Sequence, residues 1–263
     1  MKRKHTTLIL LWIVFCLPLT ACAIGSLKYS AEPIEAWVVD AETKQPVEGA
    51  IVVAQWVLEG GMHWDRVGTL QIMETMTDQK GRFLFPAWGP LKTRKGRLGS
   101  YDPKILIFKS GYEYQGLSNY QDNTPERNFG KYFPMRNSLW NGKTIELKPF
   151  KVALEELEAV REQAQKDYRR QTGQENPYLS PNLFPRTPME AYAKHLSFIM
   201  TSLRFIEDDC NWKKTPRMIL ALQKQTEIFR DAGIIRTFYS VDYLPTNETK
   251  CGSSKVFFQS VAP

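Results

Sequence analysis

The residues able to do chemistry are few and widely spaced. Of three histidines, His5 lies in an N-terminal segment marked for removal, while His63 and His195 fall in regions of different periodicity. His63-Trp64-Asp65 follows Gly60-Gly61 between two strand-like runs, where an imidazole can serve as base or ligand, although a solvated polar tip is the plainer reading. His195 flanks the apolar stripe of a helix. Glu207-Asp208-Asp209 offers carboxylates for acid–base work, yet beside Cys210 at a helix end it also reads as a solvated run. A catalytic imidazole needs an orienting carboxylate and a nucleophile within hydrogen-bond reach. The spacing assembles no such set, so a non-catalytic protein without metal or cofactor is expected, with a hydrolase of unknown substrate as the alternative.

The four cysteines say more. Met1-Lys2-Arg3-Lys4, the apolar run Leu8 to Leu19, and small Thr20 and Ala21 form the three-part plan of a secretory signal. A bilayer-crossing helix takes about 20 apolar residues, and helix-breaking Pro18 also argues for cleavage rather than a continuous span. Leu19-Thr20-Ala21-Cys22 resembles the lipobox of bacterial lipoproteins. The resemblance implies cleavage between Ala21 and Cys22, acylation of Cys22, and a membrane partner reached through that N-terminal lipid. Ala23, where inner-membrane retention usually shows Asp, further implies the outer membrane with the protein facing the periplasm. Cys16 then leaves with the signal and Cys22 carries lipid. Cys210 and Cys251 remain to form one disulfide in an oxidising compartment, or to stay as two buried thiols.

Removing residues 1–21 takes Lys2, Arg3 and Lys4 and no acid, leaving 32 basic and 28 acidic residues, or +4 in place of +7. So mild a balance excludes a nucleic-acid reading, which needs cations gathered on one face with a binding motif. The expected partner is an envelope protein or a glycan.

The elements that position these residues change character once along the chain. After a tether at 22–32, residues 33–149 read as strands: Ile34–Val39, Ala50–Leu58, Gln71–Thr77, Arg82–Phe85, Lys104–Lys109 and Thr144–Leu147, separated by turns such as Asp78-Gln79-Lys80-Gly81. Short strands without helical periods between them predict an antiparallel β-sandwich. Trp37 through Val53, with Asp40, Thr43, Pro46 and Gly49 at the bend, then Thr77-Asp78-Gln79-Lys80-Gly81-Arg82-Phe83 and Ile107 through Tyr112, resemble the carboxypeptidase regulatory-like domain. That family has a transthyretin-like sandwich and typically serves as an accessory or binding module, so the resemblance implies no chemistry. Two insertions, Lys92–Asp102 and Tyr112–Gly142, depart from its compact form. A ureide-ring hydrolase of the same sandwich type carries a Tyr-Arg-Gly-Ser signature that this sequence lacks, and no zinc-binding His/Glu motif of a metallocarboxypeptidase is present.

Residues 150–263 predict an α+β continuation: helices with a small C-terminal β-hairpin. Leu154, Leu157, Ala164 and Tyr168 recur at helix spacing up to Gly173. Thr187-Pro188-Met189-Glu190 is a capping box, and Thr215-Pro216 starts a helix with Ile219, Leu222, Thr226 and Phe229 facing inward. Ile234–Tyr243 and Lys255–Val261 read as the hairpin strands.

Two loops stand out as surfaces. Between Gly111 and Trp140, 7 of 30 residues are aromatic, about twice the 12% of the whole chain: Tyr112, Tyr114, Tyr120, Phe129, Tyr132, Phe133 and Trp140. Such rings can stack on sugars or anchor a partner, with Asn119 and Arg136 among the hydrogen-bonding neighbours, or they can cover the sandwich. This makes a glycan or peptidoglycan binder a second alternative. Lys92-Thr93-Arg94-Lys95-Gly96-Arg97 holds four cations without an acid, able to meet lipid phosphates or simply to be solvated.

Overall fold

A computed structural model describes residues 27–63, 65–93, 95–99, 101–119, 134–151, 154–177, 187–203, 208–231 and 251–261. The signal segment and Cys22 lie outside them. The strands are β1 (Leu27–Ala31), β2 (Ile34–Asp40), β3 (Ile51–Gly60), β4 (Asp65–Met76), β5 (Arg82–Phe85), β6 (Trp88–Thr93), β7 (Arg97–Leu98), β8 (Lys104–Phe108), β9 (Gln115–Leu117), β10 (Met135–Arg136) and β11 (Thr144–Leu147). They are followed by α1 (Leu154–Thr172), α2 (Pro188–Leu203), a 3-10 helix (Asp208–Lys214), α3 (Pro216–Asp231) and α4 (Ser254–Val261).

One layer is a ladder broken in the middle. β1 pairs antiparallel with β6 and β2 with β5, and the register runs on from Ala31 opposite Trp88 to Ile34 opposite Phe85. Pro33 and Pro86 interrupt it, because proline offers no amide to a neighbouring strand. β1 takes up residues 27–31 of the tether expected at 22–32. β10 and β11 lie alongside β1 and β2 in parallel, so the sheets are mixed rather than wholly antiparallel as expected. Parallel neighbours need a long crossover, and the chain between β2 and β11 supplies it by building the opposite layer first.

That second layer has the order β4-β3-β8-β9, with β7 also paired to β3. Between the layers lie Val38, Val52, Ala54, Trp56, Phe83, Phe85, Ile105 and Ile107, all at most 1% exposed. Trp56 meets Trp88 edge-on at 5.1 Å, an aromatic pair contributing about 1 kcal/mol beyond area burial.

The outer face of the second layer is covered by helices. Ile51, Val53, Ile72 and Phe108 share a core with Tyr192, Leu196, Trp212, Met218, Ile219, Leu222 and Phe229. Both faces of β3 are therefore buried, Ile51 and Val53 toward the helices, Val52 and Ala54 toward the sandwich. α1 ends where Gly173, at φ +71°, brings its amide to the Arg169 carbonyl at 2.9 Å. α2 opens as its capping residues direct, with the Glu190 amide donating to Thr187 Oγ1 at 3.1 Å.

The α+β organisation holds, but the C-terminal hairpin does not. Lys255–Val261 belongs to α4, and Ile234–Tyr243 lies outside the described residues. Val256, Phe257 and Phe258 have strand-like residue types, yet Ser253 starts a helix by accepting the Phe257 amide on its carbonyl. Helical spacing then lays Phe257 and Phe258 on Trp212, at 5.3 and 5.7 Å. Tertiary packing overrides a context-dependent strand preference here. A disulfide joins Cys210 in the 3-10 helix to Cys251, with Cα atoms 5.4 Å apart, and fastens α4 to this aromatic cluster.

Candidate functional site

The described part of the aromatic insertion is built around one buried side chain. Asn119 Nδ2 donates to the Asp102 carbonyl at 3.0 Å and to the Asn137 carbonyl at 2.8 Å, while its Oδ1 accepts the Leu139 amide at 2.7 Å. Trp140 Nε1 donates to the Ser118 carbonyl at 3.0 Å. Residues 118–119 and 137–140 are thus stitched together, closing the base of the insertion. Tyr120, Phe129, Tyr132 and Phe133 lie outside the described residues.

Beneath this base sits a buried charged group. Asp102 is 2% exposed, and burial pushes its carboxyl up to about 7. The Val57 amide, then the positive charges of Arg136 and Lys104, oppose that rise, while Glu59 adds to it. Among the described residues, Asp102 Oδ2 has no hydrogen-bond partner. Arg136 is also buried, its guanidinium lowered from the usual range by desolvation, and it donates to the Gly99 carbonyl from the opposite layer. Asn119 and Arg136, expected among the hydrogen-bonding groups of a surface loop, are both interior fastenings. No residue type or spacing marks Asp102 in the sequence, because what displaces its acidity is burial in the folded chain.

Next to Asp102, the helix-facing side of β8 and β9 leaves a depression of about 200 Å³ lined by Gln55, Lys104, Ile105, Leu106, Gly116, Leu117 and Ser118. Its existence follows from residue size. Gly116 lies opposite Leu106 in the ladder, and a Cβ placed on it would have no neighbour closer than Tyr114 Cε2 at 3.8 Å. The floor is apolar, with an amine, an amide and a hydroxyl among the lining groups. Pockets for whole small molecules span about 300–1,000 Å³, so this one admits a terminal group such as one sugar ring or an acidic side chain.

The rings expected to form one surface take different places. Tyr112 is half-buried against the sandwich core, with its hydroxyl donating to Asp40 Oδ2 at 3.0 Å. Asp40 Oδ1 accepts the Glu42 and Thr43 amides, both at 2.8 Å. Backbone bonding, from Thr43 above all, holds this carboxyl below its usual range, and burial followed by Asp40 raises the Tyr112 hydroxyl. Trp140 also packs toward the sandwich core, whereas Tyr114 packs toward the helices, its ring edge 3.8 Å from where a Cβ on Gly116 would stand.

The acid–base candidates do not come together. His63 is exposed at the tip between β3 and β4, and His195 belongs to α2. Asp208 and Asp209 begin the 3-10 helix, and Glu207 lies outside the described residues. Among the described residues, no three of His, Cys, Asp and Glu gather as a metal site would require.

Glu74 escaped sequence reading entirely. From β4 it accepts the Arg217 amide at 3.0 Å and the Met218 amide at 2.8 Å, capping α3 from outside the helix. Burial raises its carboxyl, and those two amides oppose the rise.

No protein-family model and no curated protein matches the chain. Among solved structures, 3-chlorocatechol 1,2-dioxygenase from Rhodococcus opacus 1CP aligns at 16% identity and a TM-score of 0.26, over 47% of this chain and 61% of that one. The dioxygenase domain of a dioxygenase and carbohydrate-binding protein fusion from Streptomyces sp. SirexAA-E aligns at 15% identity and a TM-score of 0.28, over 49% and 84%. The pilus 2b backbone protein of group B streptococcus aligns at 13% identity and a TM-score of 0.23, over 45% and 41%. Superpositions this loose carry no argument about fold or function.

Proposed function

We propose that this chain is a non-catalytic lipoprotein of the cell envelope, anchored through Cys22 and facing the periplasm, whose transthyretin-like sandwich and helical layer bind or scaffold at the membrane surface. The observation that carries this reading is the use made of the carboxylates. Asp40, Glu74, Asp78 and Asp102 have shifted acidities. Asp40 and Asp78 hold turns, Glu74 holds a helix end, and the Asp102 carboxyl accepts the Val57 amide of β3. Each perturbation has a structural cause, and each group ties two elements together.

The helices share their core with β3 and β8, so the sandwich and the helical layer act as one unit carried by the anchor. Glycan recognition is a second reading, favoured by one observation: the edge of the Tyr114 ring lies 3.8 Å from where a Cβ on Gly116 would stand, and Gly116 lines a depression that also holds an amide, a hydroxyl and an amine. Aromatic faces beside such groups suit a hydroxylated ring.

Mass spectrometry of the N-terminal peptide from purified membranes tests the anchor; the expected product begins at Cys22 and carries acyl mass, and an unmodified Cys22 overturns the reading. Co-sedimentation with purified peptidoglycan tests the glycan alternative. Filling the depression with Gly116→Phe then lowers retention at least tenfold, whereas unchanged retention removes the depression from consideration.

A further inference from the structure

β1 starts at Leu27, five residues beyond Cys22. Whatever its conformation, that tether spans at most about 17 Å. The N-terminal end of β1 is therefore held near any bilayer that takes the acyl chains, and the residues beside that end face the headgroups first.

Those residues are basic. Leu27 lies opposite Thr93 and Lys28 opposite Lys92. Along both strands the inner positions are covered, Tyr29 and Thr93 being buried, while Lys28 and Lys92 stand exposed on the outer side of the sheet. The turn that follows Thr93 adds exposed Lys95 and then Arg97, which lies opposite Glu59 across β7 and β3. A loop that looked like an isolated run of cations is thus joined by Lys28 and placed where the tether enters the fold. At the other end of the same ladder, beyond Trp37 opposite Arg82, the Asp78–Gly81 turn carries Lys80 away from the tether.

We infer that Lys28, Lys92, Lys95 and Arg97 form a docking face for anionic phospholipid headgroups, which sets the sandwich upright on the membrane with the β1–β6 end down. The inference deepens the lipoprotein reading and rests on Cys22 being the anchor. The fit is electrostatic: a basic segment within a Debye length of an anionic surface gains roughly fivefold in partitioning per cation, and salt screens the gain. The tether brings the patch inside that range, and the patch fixes an orientation that a flexible tether alone leaves open.

The test uses the full lipidated protein in vesicles of phosphatidylcholine, with and without phosphatidylglycerol, and a membrane-impermeant amine reagent read by mass spectrometry. Lys28, Lys92 and Lys95 are expected to label about fivefold more slowly on the anionic vesicles, Lys80 equally on both, and high salt to abolish the difference. In a Lys92→Glu, Lys95→Glu variant, whose changes are on the exposed surface, Lys28 is expected to lose its protection. Equal labelling of the three lysines on both vesicle types overturns the docking face while leaving the anchor intact. Protection of Lys28 that persists in the variant overturns it too, since the tether then suffices. A Cys22 peptide without acyl mass overturns the anchor reading and this inference with it.

Discussion

Asp102 allows the placement of a single buried carboxyl to be weighed as stability. Its folded-state acidity is displaced from 3.8 to about 7 by burial. Between those values the folded state holds a proton that the unfolded chain has released, so stability falls as pH rises through the window and levels off above it. Each pKa unit corresponds to about 1.4 kcal/mol; with these two values the loss between pH 5 and pH 8 comes to about 3 kcal/mol. Asp102→Asn keeps the shape and removes the titration. Urea unfolding of both proteins at pH values from 5 to 8 gives the difference in stability at each point, and contributions common to both cancel from it. The variant should gain on the parent by about 3 kcal/mol over that range, whatever fixed offset it carries from facing Arg136 without a counter-charge. A difference that stays flat with pH would falsify the claim that burial, rather than the nearby Arg136, governs this carboxyl.

Other perturbations test separate fastenings. Glu74→Ala leaves the Arg217 and Met218 amides without their acceptor and should cost about 1–2 kcal/mol in chemical denaturation; no loss would show that water caps α3 equally well. Replacing Cys210 and Cys251 together by Ser opens a link across 41 positions and should cost about 4 kcal/mol by the chain-entropy relation, read as a lowered urea midpoint of the variant beside the oxidised parent. Gly81 and Gly142 have similar positive φ, +70° and +73°, but a Cβ on Gly81 would fall 2.2 Å from the Val38 carbonyl oxygen while one on Gly142 meets nothing within 4 Å. Gly142→Ala should therefore cost about 1 kcal/mol and Gly81→Ala clearly more; equal costs measured by thermal unfolding would mean the β2 backbone yields freely.

What the sequence conveys well is local chemistry. Strands β2, β5 and β11 sit within a residue of their expected ranges, because apolar runs bounded by turns need only their own residues to be recognised. The Thr187 cap and the inward positions of α3 are of the same kind. The missed strands are β1, β6, β7, β9 and β10, and most are short or interrupted by Gly and Pro. Their strand character comes from a neighbour's free edge. The Cys210–Cys251 bridge was open to inference from compartment and count, whereas Glu74, Asn119 and Asp102 take their roles from partners far away in the chain.

One signal in the sequence did announce the third layer. A strand exposed on one side alternates apolar and polar residues, whereas Ile51-Val52-Val53-Ala54-Gln55-Trp56-Val57-Leu58 barely alternates at all. Such a run requires cover on both faces, and a two-layer sandwich provides only one. Phe108 on β8 and Ile72 on β4 make the same demand, and Ile219, Leu222 and Phe229 on α3 meet it. The helical part is therefore required by the sandwich sequence itself, since removing it would expose Ile51, Val53, Ile72 and Phe108 together. Gln55 is the polar residue of that run: it is buried, faces the helix side opposite Lys104 and lines the depression. A binding function placed in that depression would therefore use the same sheet face whose apolar residues demand the helical cover.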